Sequence, residues 1–350
     1  MSFKEKILEK SSNSYTYYKD KAESLQKEVD LLKQDLENGE GNRKPSLRDT
    51  YFKTYGPSGA FCNKDYVDFY LSDEFEDTFK EITSHLDSES RKLYKWIFMR
   101  ILFNNLVTKN TIYLDEELEK QKAFSDFKIK NSTDDSIAGF KFSGDYNLHG
   151  FIDLGYSKED LEFLKDKDII DAGAFTGDTA LPLSQITNKN VYAFEPFEES
   201  FELLEKNISD NEIANIVPVA KSLGDINGER TLFLSGQNIQ GITSDPDIRP
   251  YDTELKVEET TIDSFVEENN LNIGLISVDV EGAEMNLLKG AVNTIKTQRP
   301  ILEISIYHKT SDFFEIIPWI IHLDADYEFK IAKENPWPFL SDTVVQCRPK

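Results

Sequence analysis

Hydrophobic positions along this chain change period twice, and each change marks a different kind of element. In the first forty residues Tyr18, Ala22, Leu25, Val29, Leu32 and Leu36 alternate four and three apart. That is the seam of a coiled coil, with Lys and Glu filling the positions between. Asn38-Gly-Glu-Gly-Asn42 then stops the helix. Three heptads are few, so two arrangements stay open: the seam pairs with a second copy, making a homodimer, or the helix lies on the protein's own body. Residues 43 to 60 hold Pro45, Gly56, Pro57 and Gly59 and read as a linker or irregular cover. From about Asp65 to Glu119, Phe69, Phe75, Phe79, Ile82, Leu86, Leu93, Ile97, Ile101 and Leu102 recur at helical intervals. They predict a small helical unit that extends the core or covers the substrate side of the C-terminal domain.

Past residue 140 the pattern becomes short apolar runs separated by helical stretches. Strands are expected near 168–171, 190–194, 216–220, 275–279, 301–306, 326–332 and 342–348, with an additional one at Arg230–Leu234. Alternating strands and helices predict an α/β fold. The last two strands leave no room for a crossover helix, so they should close the sheet as an antiparallel hairpin. The chain thus divides into an N-terminal helix (1–40), a linker with a helical accessory region (41–140) and an α/β domain (141–350). Ser235 to Tyr251 forms a long loop rich in Gly, Asp and Pro, which is the expected acceptor-binding element. Ahead of the first strand, residues 139 to 155 gather Gly and aromatic residues around His149, either as a loop closing over a pocket or as a structural segment.

Candidate chemistry sits at the carboxyl ends of these strands, where open α/β sheets bind ligands. The first strand ends in Asp171-x-Gly173-x-x-x-Gly177, and a helix is expected directly after it. Glycines there admit a ligand close to the backbone. A dinucleotide turn would read Gly-x-Gly-x-x-Gly, but Asp171 stands in place of its first glycine. A carboxylate repels phosphate and pairs with ammonium, which suits S-adenosylmethionine better than NAD. Asp171, Gly173, Ala174, Phe175, Gly177 and Asp178 are the expected cofactor contacts on this turn. Glu195, 24 positions beyond Asp171 at the tip of the second strand, is placed to accept both ribose hydroxyls. Ser222 and Leu223, after the third strand, are expected in an adenine pocket.

A third segment delivers Asp279 and Glu281 to the same edge, and the strand after it brings His308 and Lys309. Together the pieces Asp171-Ala-Gly-Ala-Phe-Thr-Gly-Asp178, Ala193-Phe-Glu-Pro196, Thr261-Ile-Asp-Ser-Phe265, Asp279-Val-Glu-Gly-Ala-Glu284, Leu288-Lys-Gly-Ala291 with Arg299-Pro300, and Tyr307-His-Lys309 resemble the FkbM family of methyltransferases over residues 145 to 348. The resemblance implies a Rossmann-like class I methyltransferase sheet of seven strands. It also implies methyl transfer from S-adenosylmethionine to a hydroxyl, often of a sugar or polyketide. Many members carry Lys two places before the Asp279 position, where this chain has Ser277.

Methyl transfer to oxygen needs the two partners held in line and a base for the hydroxyl proton. His308, whose ordinary pKa near 6.5 would leave it neutral and basic, is the first candidate, with Asp279 as base or orienting acceptor and Lys309 beside them. Asp279, Glu281 and Glu284 offer oxygen ligands for Mg²⁺ or Ca²⁺, yet acids cluster readily as solvated faces in so acidic a chain, and no metal is expected.

Composition narrows the partners. Sixty-four acidic against forty basic residues give a net charge of −24, which argues against nucleic acid as substrate. Cys62 and Cys347 alone provide neither a disulfide framework nor a zinc pattern, and a reducing cytoplasm is the expected location. The most apolar window, Trp96 to Val107, is too short and too polar for a membrane span. The acceptor is expected to be a sugar hydroxyl of a surface glycan or glycolipid precursor, or else a small secondary metabolite. A non-catalytic coiled-coil interaction protein with a degenerate domain is the other reading.

Overall fold

The central strands need little more than their composition to form. The structure, a computed structural model, describes residues 64–106, 119, 122–123, 126–128, 130–133, 136–146, 151, 155–234, 242–248, 250–333 and 342–350. The N-terminal coiled-coil segment and His149 lie outside them.

In chain order the helices are α1 (Lys64–Tyr70), α2 (Phe75–His85), α3 (Ser88–Leu106), α4 (Lys158–Leu164), α5 (Ala180–Leu183), α6 (Glu198–Asp210), α7 (Ile262–Asn269), α8 (Glu284–Lys289), α9 (Val292–Gln298) and α10 (Thr310–His322). The strands are β1 (Ser136–Ile137), β2 (Phe140–Lys141), β3 (Asp168–Ala172), β4 (Val191–Phe194), β5 (Ile216–Val219), β6 (Ser222–Leu223), β7 (Gly228–Leu234), β8 (Thr253–Thr260), β9 (Ile273–Val278), β10 (Ile301–Ser305), β11 (Tyr327–Lys333) and β12 (Thr343–Pro349).

Seven strands form one sheet in the order β11-β12-β10-β9-β3-β4-β5. β3 pairs in parallel with β4 and β9, and β10 in parallel with β9, whereas β12 runs antiparallel between β10 and β11. Every residue of β3 and of β10 is buried, the condition of parallel strands covered on both faces. All seven strands lie within two residues of the expected bounds, and the closing hairpin is antiparallel as expected.

Three features differ from the sequence reading. The helix after Gly177 is only the four residues of α5, so the turn is closed by Gly177 N–H donating to the Ala174 carbonyl at 2.7 Å. Arg230–Leu234 does not join the main sheet but belongs to β7 of a three-stranded sheet, order β6-β8-β7. β8 was not anticipated; its alternating Leu255 and Val257 are diluted by Glu and Lys on a half-exposed ribbon. Ser222 and Leu223 form β6 by pairing with Glu259 and Thr260 of β8.

The helical unit α1–α3 packs on α10 and on the edge strand β11. Tyr94 stacks on Phe313 with ring centroids 4.4 Å apart, and its hydroxyl donates to the Phe313 carbonyl at 2.7 Å. Ser90 Oγ accepts the Ile331 N–H of β11 at 3.0 Å. This favours the reading in which the unit extends the core.

α6 carries two polar residues, Ser200 and Asn207, on its buried stripe. Asn207, fully buried between Leu204 and Ile208, accepts the Ser143 N–H at 2.8 Å and donates to the carbonyls of Ser143 at 3.0 Å and Thr176 at 2.8 Å. It staples residues 143–146 to the glycine turn. Asn207→Leu keeps the volume but strands those three backbone groups, and should cost about 2–3 kcal/mol of stability. Urea unfolding checks this; a loss under about 0.5 kcal/mol, ordinary for a neutral surface change, would contradict it.

Candidate active site

The site is built where β3, β4, β9 and β10 end together. At the tip of β3 the chain turns at Gly173, φ +81°, where a Cβ would overlap the Asp279 carbonyl oxygen. The peptide groups of Gly173 and Ala174 donate to the Phe194 carbonyl at 3.1 and 2.9 Å. Phe175 follows in a left-handed conformation, φ +46°, which a bulky residue adopts only where its surroundings impose it. Its N–H is held by Glu195 Oε2 at 3.0 Å, while Glu195 Oε1 takes the Phe197 N–H at 2.9 Å. Glu195 is therefore fixed by one bond to each oxygen, and each oxygen keeps a lone pair for a further donor.

Two carboxyl groups here resist ionisation. Burial pushes Glu195 up to about 7 against the pull of those two N–H groups. Asp171, 2% exposed, is driven well above its ordinary value by burial and then by the charges of Asp178 and Asp279. It hydrogen-bonds Ser277, its β9 neighbour in register, while its Oδ2 has no hydrogen-bond partner. In the next strand Glu303 faces Ser277 in register and is held by Gln346 at 2.7 Å and Tyr156 at 2.5 Å.

Beyond β9, the turn at Glu281 and Gly282 is left-handed, φ +52° and +97°. That lets Glu284 Oε1 accept the N–H groups of Val280 at 3.2 Å and Gly282 at 3.3 Å. The same oxygen faces His308 Nδ1 at 2.8 Å. On the other side of the imidazole, Nε2 lies 3.4 Å from Asp279 Oδ1 and 3.6 Å from Glu281 Oε2. Burial opposes charge on His308, but Glu284, Glu281 and Asp279 outweigh it and raise the group to about 10. The three carboxylates thus favour the imidazolium over the neutral base expected from the ordinary imidazole value. Asp279 is raised by burial and lowered by His308, to a net value of about 7.

Lys309 is an ion-pair partner, its Nζ 2.7 Å from Asp245 Oδ2. Asp245 lies in the 235–251 loop, and Thr243 of that loop donates its hydroxyl to the Glu281 carbonyl at 2.6 Å. The described part of the expected acceptor loop thus rests on the turn that carries Glu281. Asp171, Gly173, Phe175 and Glu195 gather around one turn and Asp279, His308 and Lys309 around the next. Ser222 instead donates to the Glu258 carbonyl in the small sheet, and Leu223 is buried there. Asp245, Thr243, Asn207 and Glu303 were missed. Of these, only Asn207 left a signal, as a polar residue on an apolar helical stripe.

Residues 171–329 match the family model described as the methyltransferase FkbM domain. That stretch of the chain is similar to the FkbM methyltransferases. Among solved structures, the methyltransferase FkbM from Methylobacillus flagellatus KT aligns with a TM-score of 0.51 at 18% identity, over 81% of this chain and 61% of that one. The chain therefore spans about three-fifths of that protein's length. More distant are a precorrin-6y C5,15-methyltransferase from Geobacter metallireducens GS-15 (TM-score 0.35, 12% identity, 61% of this chain and 97% of that one) and the fibrillarin of Aeropyrum pernix with natively bound S-adenosyl-L-methionine (0.32, 15%, 57% and 71%). No curated protein matches the sequence closely enough to carry an inference. Among the described residues no helix is long and apolar enough to cross a membrane.

Glu195 gives this site a pH signature. Its carboxyl is raised on folding, so its contribution is fully present below about pH 4.5 and is lost as pH rises through about 7. The stability of wild type relative to Glu195→Gln should fall by ~3 kcal/mol between those limits. Thermal unfolding of both proteins at pH 5 and pH 8 measures this, and a constant difference would mean that Glu195 ionises as it does in water.

Proposed function

We propose that the protein transfers the methyl group of S-adenosylmethionine to a hydroxyl oxygen of a sugar in a surface glycan or glycolipid precursor. The observation that carries this reading is the close packing of the Gly173 turn on the Asp279 carbonyl, which sets a cofactor-type turn directly against an acid–histidine cluster. In this reading Asp171, Gly173, Ala174 and Asp178 surround the methionine end, with Phe175 and Gly177 shaping the turn. The free lone pairs of Glu195 take the ribose hydroxyls. The unpartnered Asp171 Oδ2 suits an ammonium donor, and no Lys or Arg side chain pairs with it among the described residues.

On the other side of the turn lies the acceptor. Its hydroxyl donates to the Asp279 carboxylate, which the adjacent imidazolium of His308 favours in ionised form. As the carbon–oxygen bond forms and the carbon–sulfur bond breaks, the hydroxyl proton passes to Asp279 and S-adenosylhomocysteine leaves neutral at sulfur. Most of the rate advantage comes from holding methyl and oxygen in line in a fixed site. Lys309 and Asp245 tie the 242–248 segment over this edge, where a polyhydroxylated acceptor would meet it. The absence of a membrane-crossing helix among the described residues is consistent with action in the cytoplasm before a glycan is exported.

Calorimetry should find S-adenosylmethionine and S-adenosylhomocysteine binding near micromolar, about −8 kcal/mol, with NAD silent. Glu195→Ala should weaken binding at least thirtyfold. Affinity should also rise with pH from 6 to 8, since ribose hydroxyls favour the ionised carboxylate, and Glu195→Gln should flatten that rise. Absence of binding by either ligand would sink the proposal. Once an acceptor is in hand, Asp279→Asn should lower kcat by about 10²–10⁴ with cofactor affinity within threefold of wild type; an unchanged kcat would remove Asp279 from the mechanism.

A further inference from the structure

The acids around His308 are not the solvated face that so acidic a chain would produce. Glu284 is fully buried and the His308 side chain is 5% exposed, whereas Asp279 and Glu281 are 37% and 31% exposed and open toward solvent. Donor atoms of Asp279, Glu284 and His308 all lie within 4.8 Å of one another. Two of the buried atoms, His308 Nε2 and Asp279 Oδ1, have no hydrogen-bond partner although they face each other.

Their separation decides between the two cations that can fill the gap. A proton on Nε2 would need an acceptor at about 2.7–3.2 Å, and the carboxylate oxygens stand at 3.4 and 3.6 Å. A metal ion with ligand bonds of about 2.1 Å holds neighbouring donors about 3.4–3.6 Å apart when they subtend roughly 108–118°. The spacing is too long for a hydrogen bond and right for a shared ion. The ring is also oriented as metal-bound imidazoles are, with its other nitrogen held by a carboxylate, here Glu284 through Nδ1 at 2.8 Å.

Charge points the same way. Around the imidazole stand the carboxylates of Asp279, Glu281 and Glu284, with Asp312 beside Glu284, while the nearby Lys309 is paired with Asp245. An ion bound at Nε2 takes the place of the imidazolium proton, and the three carboxylates around the ring balance its charge.

We propose that His308 Nε2 and Asp279 Oδ1, with Glu281 as a further oxygen donor and Glu284 fixing the ring, form a site for a divalent first-row transition-metal ion such as Mn²⁺ or Zn²⁺. An imidazole in the set selects these ions over Mg²⁺ and Ca²⁺, which prefer oxygen alone. The partly exposed Asp279 and Glu281 leave the ion a way in. Its use, holding the acceptor oxygen beside the methyl group, rests on the methyl-transfer reading; its binding does not.

The test uses the full chain, treated with a chelator, desalted, and titrated with Mn²⁺, Zn²⁺ and Co²⁺ in the absence of cofactor. One ion per chain is expected at micromolar affinity or tighter, with a Co²⁺ visible spectrum reporting nitrogen and oxygen ligation. Asp279→Asn should weaken binding more than tenfold, and Glu284→Gln by about 10–100-fold, each in a protein whose circular dichroism and unfolding cooperativity match wild type. Should Asp279→Asn misfold, His308→Gln with the same fold control takes its place. Binding below about 0.2 ion per chain, or equal affinity in wild type and a folded variant, overturns the inference. Calorimetry with S-adenosylmethionine alone separates the two readings: cofactor binding without metal binding defeats only the metal site, and the converse defeats only the methyltransferase proposal.

Discussion

Everything at the carboxyl edge of this sheet depends on one backbone contact, the packing of Gly173 against the carbonyl of Asp279. No side chain larger than hydrogen fits there, so the turn after β3 and the turn after β9 are locked in register. The first presents Asp171 and orients Glu195 through the left-handed Phe175. The second presents Asp279 and, through Glu281 and Gly282, folds back to bury Glu284 under His308. Two groups of acids that would repel in water are thereby held side by side. Folding supplies the energy for this, and the raised protonation of Asp171, Glu195 and Asp279 records its cost.

The acids differ in how that cost is met. Glu195 is satisfied by two peptide N–H groups, so it keeps a fixed orientation whether or not a ligand is present. Glu284 takes two peptide groups and an imidazole on one oxygen, and is held below the ordinary carboxylate range although burial acts against it. Asp171 has a serine for company and one bare oxygen. Glu284 Oε2 is bare as well, but Asp171 lacks the cationic partner that His308 gives Glu284, which is why Asp171 reads as a binding group and Glu284 as a support.

Much of the fold was legible in the sequence, and the reason is burial. Strands covered on both faces, such as Ile169–Ile170 and Leu275–Ile276, are uninterrupted apolar runs, and acids at their ends stand out. β8 was hidden because its outward face is charged, and the three-stranded sheet with it. The site was legible as a set of residues but not as a set of charges. The ionisation of His308 depends on three acids that reach it only after β9 and β10 align, and the imidazole alone says nothing of them. Asp245 and Thr243 were invisible for a related reason: their contacts with Lys309 and Glu281 belong to tertiary structure, and the segment that carries them has no periodicity to betray a face.

The docking of α3 on β11 bears on what counts as a separable part of this molecule. β11 is the outer strand of the sheet, with Phe329 and Ile331 turned inward and a row of peptide groups that would otherwise face water. Ser90 takes up one of those groups, and an isolated bridge joins Leu86 to Phe329. Left bare, such an edge recruits strands from neighbouring chains. The helices from 64 to 106 are therefore guardians of the sheet's solubility, and a gene fragment encoding the methyltransferase motifs alone would make a sticky protein.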